Sequence, residues 1–226
     1  SLVERGSEVC LVSRRSEPLQ AAAEDLGNAA WAHACDVSEP QQVAALREAV
    51  AARWEALDGL VNNAGIAPMA TLDDTDPEQW DQTFAINVRG PYLMCRALAP
   101  MLKQGRSPSV VNVSSTLSVR AIPGMAAYNA SKAAVIHLTR SLAAEWAPNN
   151  ICVNSISPGY TRTKLVSDLL ETPEGQRMEP EWMRLTPMAR MAEVSDLQGA
   201  IVYLASSVSD YMTGHDMVID GGYCAW

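Results

Sequence analysis

The chain has 226 residues, 48% of them hydrophobic, and its 26 acidic against 17 basic side chains give a formal net charge of -9. Length and apolar content suit one globular domain with a sizeable core and argue against disordered and fibrous classes. The acidic balance argues against a nucleic-acid surface, which needs clustered Lys and Arg, and no apolar run reaches the roughly 18 residues of a membrane span. The first residues lack the charged-then-apolar order of a signal peptide, so a soluble cytoplasmic setting is expected. Cys10, Cys35, Cys95, Cys152 and Cys224 form no C-x-x-C pair, and His33, His137 and His215 have no ligand spacing. They read as reduced or structural residues rather than a disulfide frame or a metal site.

In chain order, Ser1 to Gly6 reads as the last turns of a helix closed by a glycine, and Glu8 to Val12 as a strand that ends at Ser13, Arg14 and Arg15. Pro18 to Leu26 is a predicted helix ended by Gly27; Trp31 to Cys35 is a short strand leading to Asp36-Val37. Ser38 with Gln41 forms a capping box for a helix running to Trp54, which leaves the Asp36 carboxylate available. Gly59-Leu60-Val61 is the next strand, closed by Asn62-Asn63-Ala64-Gly65, small residues that let a ligand approach the backbone. Pro77 starts a long helical pattern through Trp80, Phe84, Val88, Tyr92 and Leu98, interrupted at Gly90-Pro91. Asn87 precedes that break and reads, from the residues alone, as a polar core group satisfied locally.

Val110 to Val113 is a buried strand, and the run from Ser115 to Lys132 follows it into a helix. Ile151 to Ile156 is another buried strand; Ser157-Pro158-Gly159-Tyr160 turns out of its carboxyl end, where ligands bind in open α/β sheets. Lys164 to Arg190 carries Met178, Trp182, Met183 and Met188 among prolines and charges, and reads either as a mobile lid or as a packed helical pair. Ser195 to Leu204 is a helix, and Met217 to Gly222 a last strand and turn. No repeat or linker divides the chain, so one domain spans 1–226.

The chemistry concentrates in the run after the Val110–Val113 strand. Tyr128 and Lys132 are spaced i and i+4, which puts a phenol and an ammonium on one helical face, one turn apart. A cation about 4 Å from a phenol, at an effective dielectric of about 20, is worth roughly 4 kcal/mol, or about three pK units. Tyr128 is therefore expected to titrate near neutrality and to act as an acid or base, with Ser115 donating a hydrogen bond to the same substrate oxygen.

Val111-Asn112-Val113-Ser114-Ser115, the Tyr128/Lys132 pair, Asn62-Asn63-Ala64-Gly65 and Pro158-Gly159-Tyr160-Thr161-Arg162-Thr163 occur together in this one chain. In that combination it resembles the short-chain dehydrogenase/reductase family over essentially its whole length. The resemblance implies an α/β fold, a doubly wound parallel sheet of the Rossmann type in a single domain. It implies hydride transfer between NAD or NADP and a carbonyl or secondary alcohol. Ser115, Tyr128, Lys132 and Asn87 would be catalytic, Asn87 by holding a water that relays protons to Lys132.

For the cofactor, Ser13 and Arg14 at the end of the second family strand point to the 2′-phosphate of NADP, where an acidic residue would point to NAD. Asp36 and Val37 would lie at the adenine. Asn62 would mainly brace the sheet while Ala64 and Gly65 admit a ribose. Tyr128 and Lys132 would hold the nicotinamide ribose, and Pro158, Gly159, Thr161 and Thr163 the carboxamide. The helices around Asn87 and Tyr128 imply a homodimer or homotetramer.

The tail from Asp220 to Trp226 is similar to that of polyol and ketose reductases of the family, with the terminal Trp226 expected to reach a neighbouring subunit's site. A 3-oxoacyl thioester reductase shares the motifs, but the charge of -9 is a poor match for an acidic carrier. A catalytically silent cofactor-binding protein is the remaining alternative. The family places a strand and a Gly-rich phosphate turn before the helix that ends at Gly6; this sequence holds no such glycine cluster, and the expectation is that an N-terminal segment is omitted from it.

Overall fold

A computed structural model describes residues 2–225; Ser1 and the terminal aromatic Trp226 lie outside the described residues, as do the side chains of Leu165 and Glu174. The chain opens on a single tight turn, Val3–Arg5, stopped by Gly6 in the left-handed region at φ 86°, whose N–H returns to the Val3 carbonyl. Strands and helices then alternate: β1 (Val9–Ser13), α1 (Ser16–Leu26), β2 (Ala30–Ala34), α2 (Pro40–Ala51), β3 (Gly59–Asn62), α3 (Pro77–Phe84) and α4 (Gly90–Leu102). After them come β4 (Ser109–Val113), α5 (Ala126–Trp146), β5 (Cys152–Pro158), α6 (Lys164–Leu170), α7 (Pro173–Leu185), α8 (Val194–Leu204) and β6 (Asp216–Ile219).

Every strand pair is parallel: β1 pairs with β2, and β3-β4-β5-β6 form a four-stranded sheet in sequence order. Among the described residues β1 and β3 do not hydrogen-bond to each other. Helices cover both faces, which is why β4 and β5 are buried along nearly their whole length, their Asn and Ser residues included. On one face Leu46, Val50, Leu98, Leu102 and Trp146 pack on Leu60, Val110 and Val153, and Cys10, Val12 and Trp31 join the same core from the two-stranded sheet. On the other, Leu204 and Ile201 of α8 pack on Val111, Ile156 and Ile219. The five cysteines are free, Cys35 and Cys95 buried and the rest partly so. No helix among the described residues is long and apolar enough to cross a membrane.

Two helical expectations change. The predicted helix to Trp54 stops at Ala51, and the pattern begun at Pro77 widens into a π turn over Ala85–Arg89 before α4. Pro91 has no N–H to give the Asn87 carbonyl four residues back, so a regular α-helix cannot run through this point. Of the two readings of 164–190, the packed pair is the one seen: α6 and α7 are ordinary helices, and the Trp182 ring is buried against Tyr160 with ring centres 4.5 Å apart.

A buried polar chain crosses the core. The Asn62 amide donates to Asn112 at 2.8 Å, the Asn112 amide to the Thr139 hydroxyl at 2.9 Å, and that hydroxyl to the Val135 carbonyl at 2.9 Å. It fixes β3, β4 and α5 relative to one another, the bracing role the resemblance implies for Asn62. Replacing Asn112 by Leu leaves Asn62 with only the weak sulfur acceptor of Cys95 at 3.5 Å. We expect Asn112→Leu to cost about 1–3 kcal/mol of unfolding free energy, read as a lower denaturant midpoint at unchanged slope.

Candidate active site

The carboxyl ends of three neighbouring strands deliver the Asn62–Gly65 segment from β3, Ser114 and Ser115 from β4, and Pro158 and Gly159 from β5. Ser115 leaves β4 in an extended conformation and caps the short turn Thr116–Ser118, its hydroxyl oxygen accepting from the Leu117 N–H at 3.1 Å. That use of the oxygen leaves the hydroxyl hydrogen to donate, and the Tyr128 phenol is within its reach. The Ser114 hydroxyl donates to the Lys132 carbonyl at 2.9 Å, so the strand end and the first turns of α5 are tied together. Tyr128 and Lys132 lie one turn apart on α5 as their spacing predicts.

The Lys132 side chain is 4% exposed; its ammonium donates to the Val113 carbonyl at 2.8 Å and lies 5.7 Å from the centre of the Tyr128 ring. The loop after β3 closes the other side. A Cβ at Gly65 would sit 3.4 Å from the Lys132 Nζ and 3.3 Å from the Asn87 Oδ1, in contact with the first and slightly tight against the second, so the absence of a side chain leaves this backbone open beside both groups. Asn87, in the π turn, is satisfied on all its side-chain atoms: it accepts from the Ile66 N–H at 2.9 Å, and donates to the Ile66 carbonyl at 2.9 Å and to the Ser131 hydroxyl at 3.0 Å. The local satisfaction read from the residues is therefore what the side chain does. It clamps the Gly65–Ile66 loop, and any part in proton relay falls to its backbone.

The expected neutral titration of Tyr128 is overturned. Burial pushes the phenol above its usual value of 10.0, a Ser115 hydrogen bond opposing it only in part. Burial also pushes Lys132 down to about 8. The Coulomb argument left out what it costs to remove both groups from water, and the ammonium is already committed to the Val113 carbonyl. Tyr128 is a protonated acid in this state of the protein.

At the other end of the cleft, Arg14 and Asp36 meet. The Arg14 guanidinium lies 3.7 Å from the Asp36 carboxylate, and Ser13 accepts from the Arg15 N–H at 3.3 Å. The predicted Ser38 capping box does not form. Pro40 starts α2 with Glu39 as its cap, which places Ser38 outside the helix, where its N–H and hydroxyl both donate to Asp36, at 2.9 and 2.6 Å. Asp36 is thus engaged rather than available. Burial raises its carboxyl, but the two Ser38 bonds and Arg14 together hold it below the usual range. Val37 packs on Gly90, where a Cβ would come within 2.8 Å of the valine Cγ2.

The β5 end is equally tight. The Gly159 N–H donates to the Ile219 carbonyl at 2.9 Å, and a Cβ there would meet the Asp220 Cα at 2.8 Å. The Pro158 carbonyl accepts from Thr116 at 3.3 Å. The Thr161 hydroxyl turns back onto the Gly159 carbonyl at 3.0 Å, and Thr163 caps α6 through the Val166 N–H at 3.4 Å. Asn63, Ala64 and Gly65 are exposed, while Asn62 is buried in the bracing chain. The structure therefore gathers Asn87, Ser115, Tyr128, Lys132 and Gly65 at one point and places Arg14, Asp36 and Val37 at another. Two participants escaped the sequence reading. Ser131 holds Asn87, and Arg120 reaches the C-terminal turn by donating to the Tyr223 carbonyl. Arg120 did leave a signal, as a lone base inside the apolar run Val119 to Ile122.

The family model described as enoyl-(acyl carrier protein) reductase matches residues 1–224. The chain is 36% identical over 222 residues to the D-threitol dehydrogenase of Mycolicibacterium smegmatis, covering 97% of this chain and 84% of that protein. It is 36% identical over 225 residues to the L-tagatose-forming galactitol 2-dehydrogenase of Cereibacter sphaeroides, covering 98% and 87%. A crystal structure of a gluconate 5-dehydrogenase from Burkholderia cenocepacia, solved with NADP and tartrate, superposes with a TM-score of 0.91 at 33% identity, covering 100% of this chain and 88% of that one.

Lys132 gives the site a stability signature. With its folded pKa near 8 and an ordinary value of 10.5 in the unfolded chain, the unfolded state holds the extra proton between those limits. Stability contributed by this residue therefore rises with pH across that window, by a total on the order of 3 kcal/mol. Denaturant unfolding of the parent and of Lys132→Met at pH 7.0, 8.5 and 10 (roughly spanning the window) is expected to show the difference shifting in favour of the parent as pH rises. A difference that stays flat removes the charged, buried lysine from the account.

Proposed function

The chain belongs to the short-chain dehydrogenase/reductase family, and we propose that it oxidises a polyol to a ketose, or reduces the ketose, with NADP as its preferred cofactor. The reaction is secondary alcohol plus oxidised cofactor to ketone, reduced cofactor and one proton. The observation that carries this reading is the convergence of Ser115, Tyr128 and Lys132 at the strand ends, with Gly65 so placed that a Cβ on it would lie 3.4 Å from the Lys132 Nζ. That cradle, which a Cβ would fill, fits a nicotinamide ribose: Tyr128 and Lys132 would hold its hydroxyls, Ala64 and Gly65 would border it, and Pro158, Gly159, Thr161 and Thr163 would hold the carboxamide. When bound, the cofactor supplies or accepts the hydride.

Ser115 turns its hydroxyl hydrogen from the phenol to the substrate oxygen. Tyr128 gives its proton to that oxygen during reduction and takes one from it during oxidation. Lys132 stabilises the phenolate so formed and passes it a proton, and a water ordered by the Asn87 carbonyl reprotonates the neutral amine that results. Since burial holds the phenol protonated, reduction starts from the ready state, and alcohol oxidation is expected to keep accelerating on the alkaline side of neutrality.

Ser13 and the exposed Arg14 support NADP, because a guanidinium at that strand end meets a 2′-phosphate. Asp36 and Val37 would border the adenine. The names of relatives that act on threitol and galactitol support a polyol. An acyl-carrier substrate fits less well, since the carrier is acidic and this chain carries -9. For assembly we propose a homodimer or homotetramer formed through α3, α4 and α5. An open groove of about 760 Å³ lined by Phe84, Val88, Tyr92 and Leu138 supports it.

Tyr128→Phe is expected to retain the parent melting temperature and to lose roughly 10²–10⁴ in polyol oxidation rate; full turnover by this variant would sink the mechanism. Arg14→Ala is expected to weaken NADPH binding by about tenfold, in fluorescence titration, and to leave NADH nearly unchanged. Equal changes for both cofactors would remove the NADP preference.

A further inference from the structure

We infer that Arg120 is a positioning residue for Ser115, acting through a clasp between the turn that carries the serine and the C-terminal turn Asp220–Cys224. For its effect on rate this rests on the hydride-transfer reading above.

The stretch from Ser115 to Arg120 is one hydrogen-bonded unit. The N–H of Ser118 returns to the Ser115 carbonyl at 3.0 Å, and those of Val119 and Arg120 return to the Thr116 carbonyl at 3.1 and 3.0 Å. The Ser118 hydroxyl adds a bond to the Ser115 carbonyl at 2.5 Å, and Ser115 itself caps the turn through Leu117. Rotation of such a unit carries the serine hydroxyl with it. Thr116 ties it to β5 on one side through the Pro158 carbonyl. On the other side the Arg120 guanidinium donates to the Tyr223 carbonyl and lies over the Tyr223 ring, 4.5 Å from its centre.

The far end of the clasp is immobilised. Tyr223 is 2% exposed and meets Tyr160 edge-on at 5.4 Å, and Tyr160 stacks on Trp182. Gly221 and Gly222 adopt φ 61° and 92°, and a Cβ on either would come within 2.9 Å of Thr186 or Pro187. The Asp220 carboxylate accepts from the N–H groups of Gly222 and Cys224 at 2.8 and 2.7 Å. A planar guanidinium both stacks and donates, which an ammonium cannot do equally well. Arg120 therefore transmits a rigid reference, built from the tail, α7 and β5, to the catalytic serine.

Arg120→Met and Arg120→Lys in the full chain test this. Arg120→Met is expected to lower kcat for alcohol oxidation roughly tenfold to hundredfold with substrate KM within about twofold of the parent, because a displaced donor weakens the transition state rather than binding. Its melting temperature should stay near the parent's, Arg120→Lys should recover part of the loss, and amide hydrogen exchange across Leu117–Arg120 should accelerate in the Met variant. Parent kcat in Arg120→Met, or a loss confined to KM, overturns the inference. If Arg120→Met does not fold, the same kcat criterion applies to Arg120→Lys. If the parent turns over no polyol with either cofactor, the hydride-transfer reading fails instead, and unchanged exchange across Leu117–Arg120 then overturns the clasp on its own.

Discussion

A lysine ammonium held away from water is the constraint around which this site is arranged. The Lys132 ammonium donates to the Val113 carbonyl, and burial depresses its basicity. For the side chain to reach that carbonyl, the end of β4 must lie against the first turns of α5, and Ser114 and the Asn62–Asn112–Thr139 chain hold it there. On the opposite side, the absence of a side chain at Gly65 leaves the backbone open beside the ammonium. The sheet, the helix and the loop therefore agree on one point in space, and the phenol of Tyr128 shares it.

Much of this was legible from the residues because it follows from spacing. Tyr128 and Lys132 meet since i and i+4 meet on any helix, and β4 and β5 are recognisable by Val110 and Val111 in the one and Val153 and Ile156 in the other, residues that mark a buried strand. The boundary of Gly6 and the break at Gly90-Pro91 were equally plain, because glycine and proline act locally. What spacing does not contain is the local dielectric. The Tyr128 phenol moves up rather than down because burial, a property of the whole fold, outweighs the Ser115 hydrogen bond that opposes it.

The loop from Asp36 to Ser38 was misread for a different reason. Ser38 satisfies the pattern of a helix cap, yet Pro40 begins the helix later and frees Ser38 to bond Asp36. Two local rules competed, and the stiffer one, a fixed proline torsion, prevailed. Asp36 consequently serves Arg14 and Ser38 before it serves any ligand. Arg120 was missed because its partner lies about a hundred residues away, a contact that only tertiary structure creates.

The π turn over Ala85–Arg89 joins two regions otherwise far apart along the cleft. Asn87 within it clamps the loop beside Lys132, the Arg89 guanidinium donates to the Ser38 carbonyl at 2.8 Å, and Gly90, directly after it, packs against Val37. A substitution that enlarges the Asp36–Ser38 loop presses on the same few residues as one beside Lys132. Changes at the two ends should therefore be epistatic: the effect of a pair should differ from the sum of its members. The two ends of the molecule are then not separately adjustable, and a lineage altering one would have to re-optimise the other through this turn.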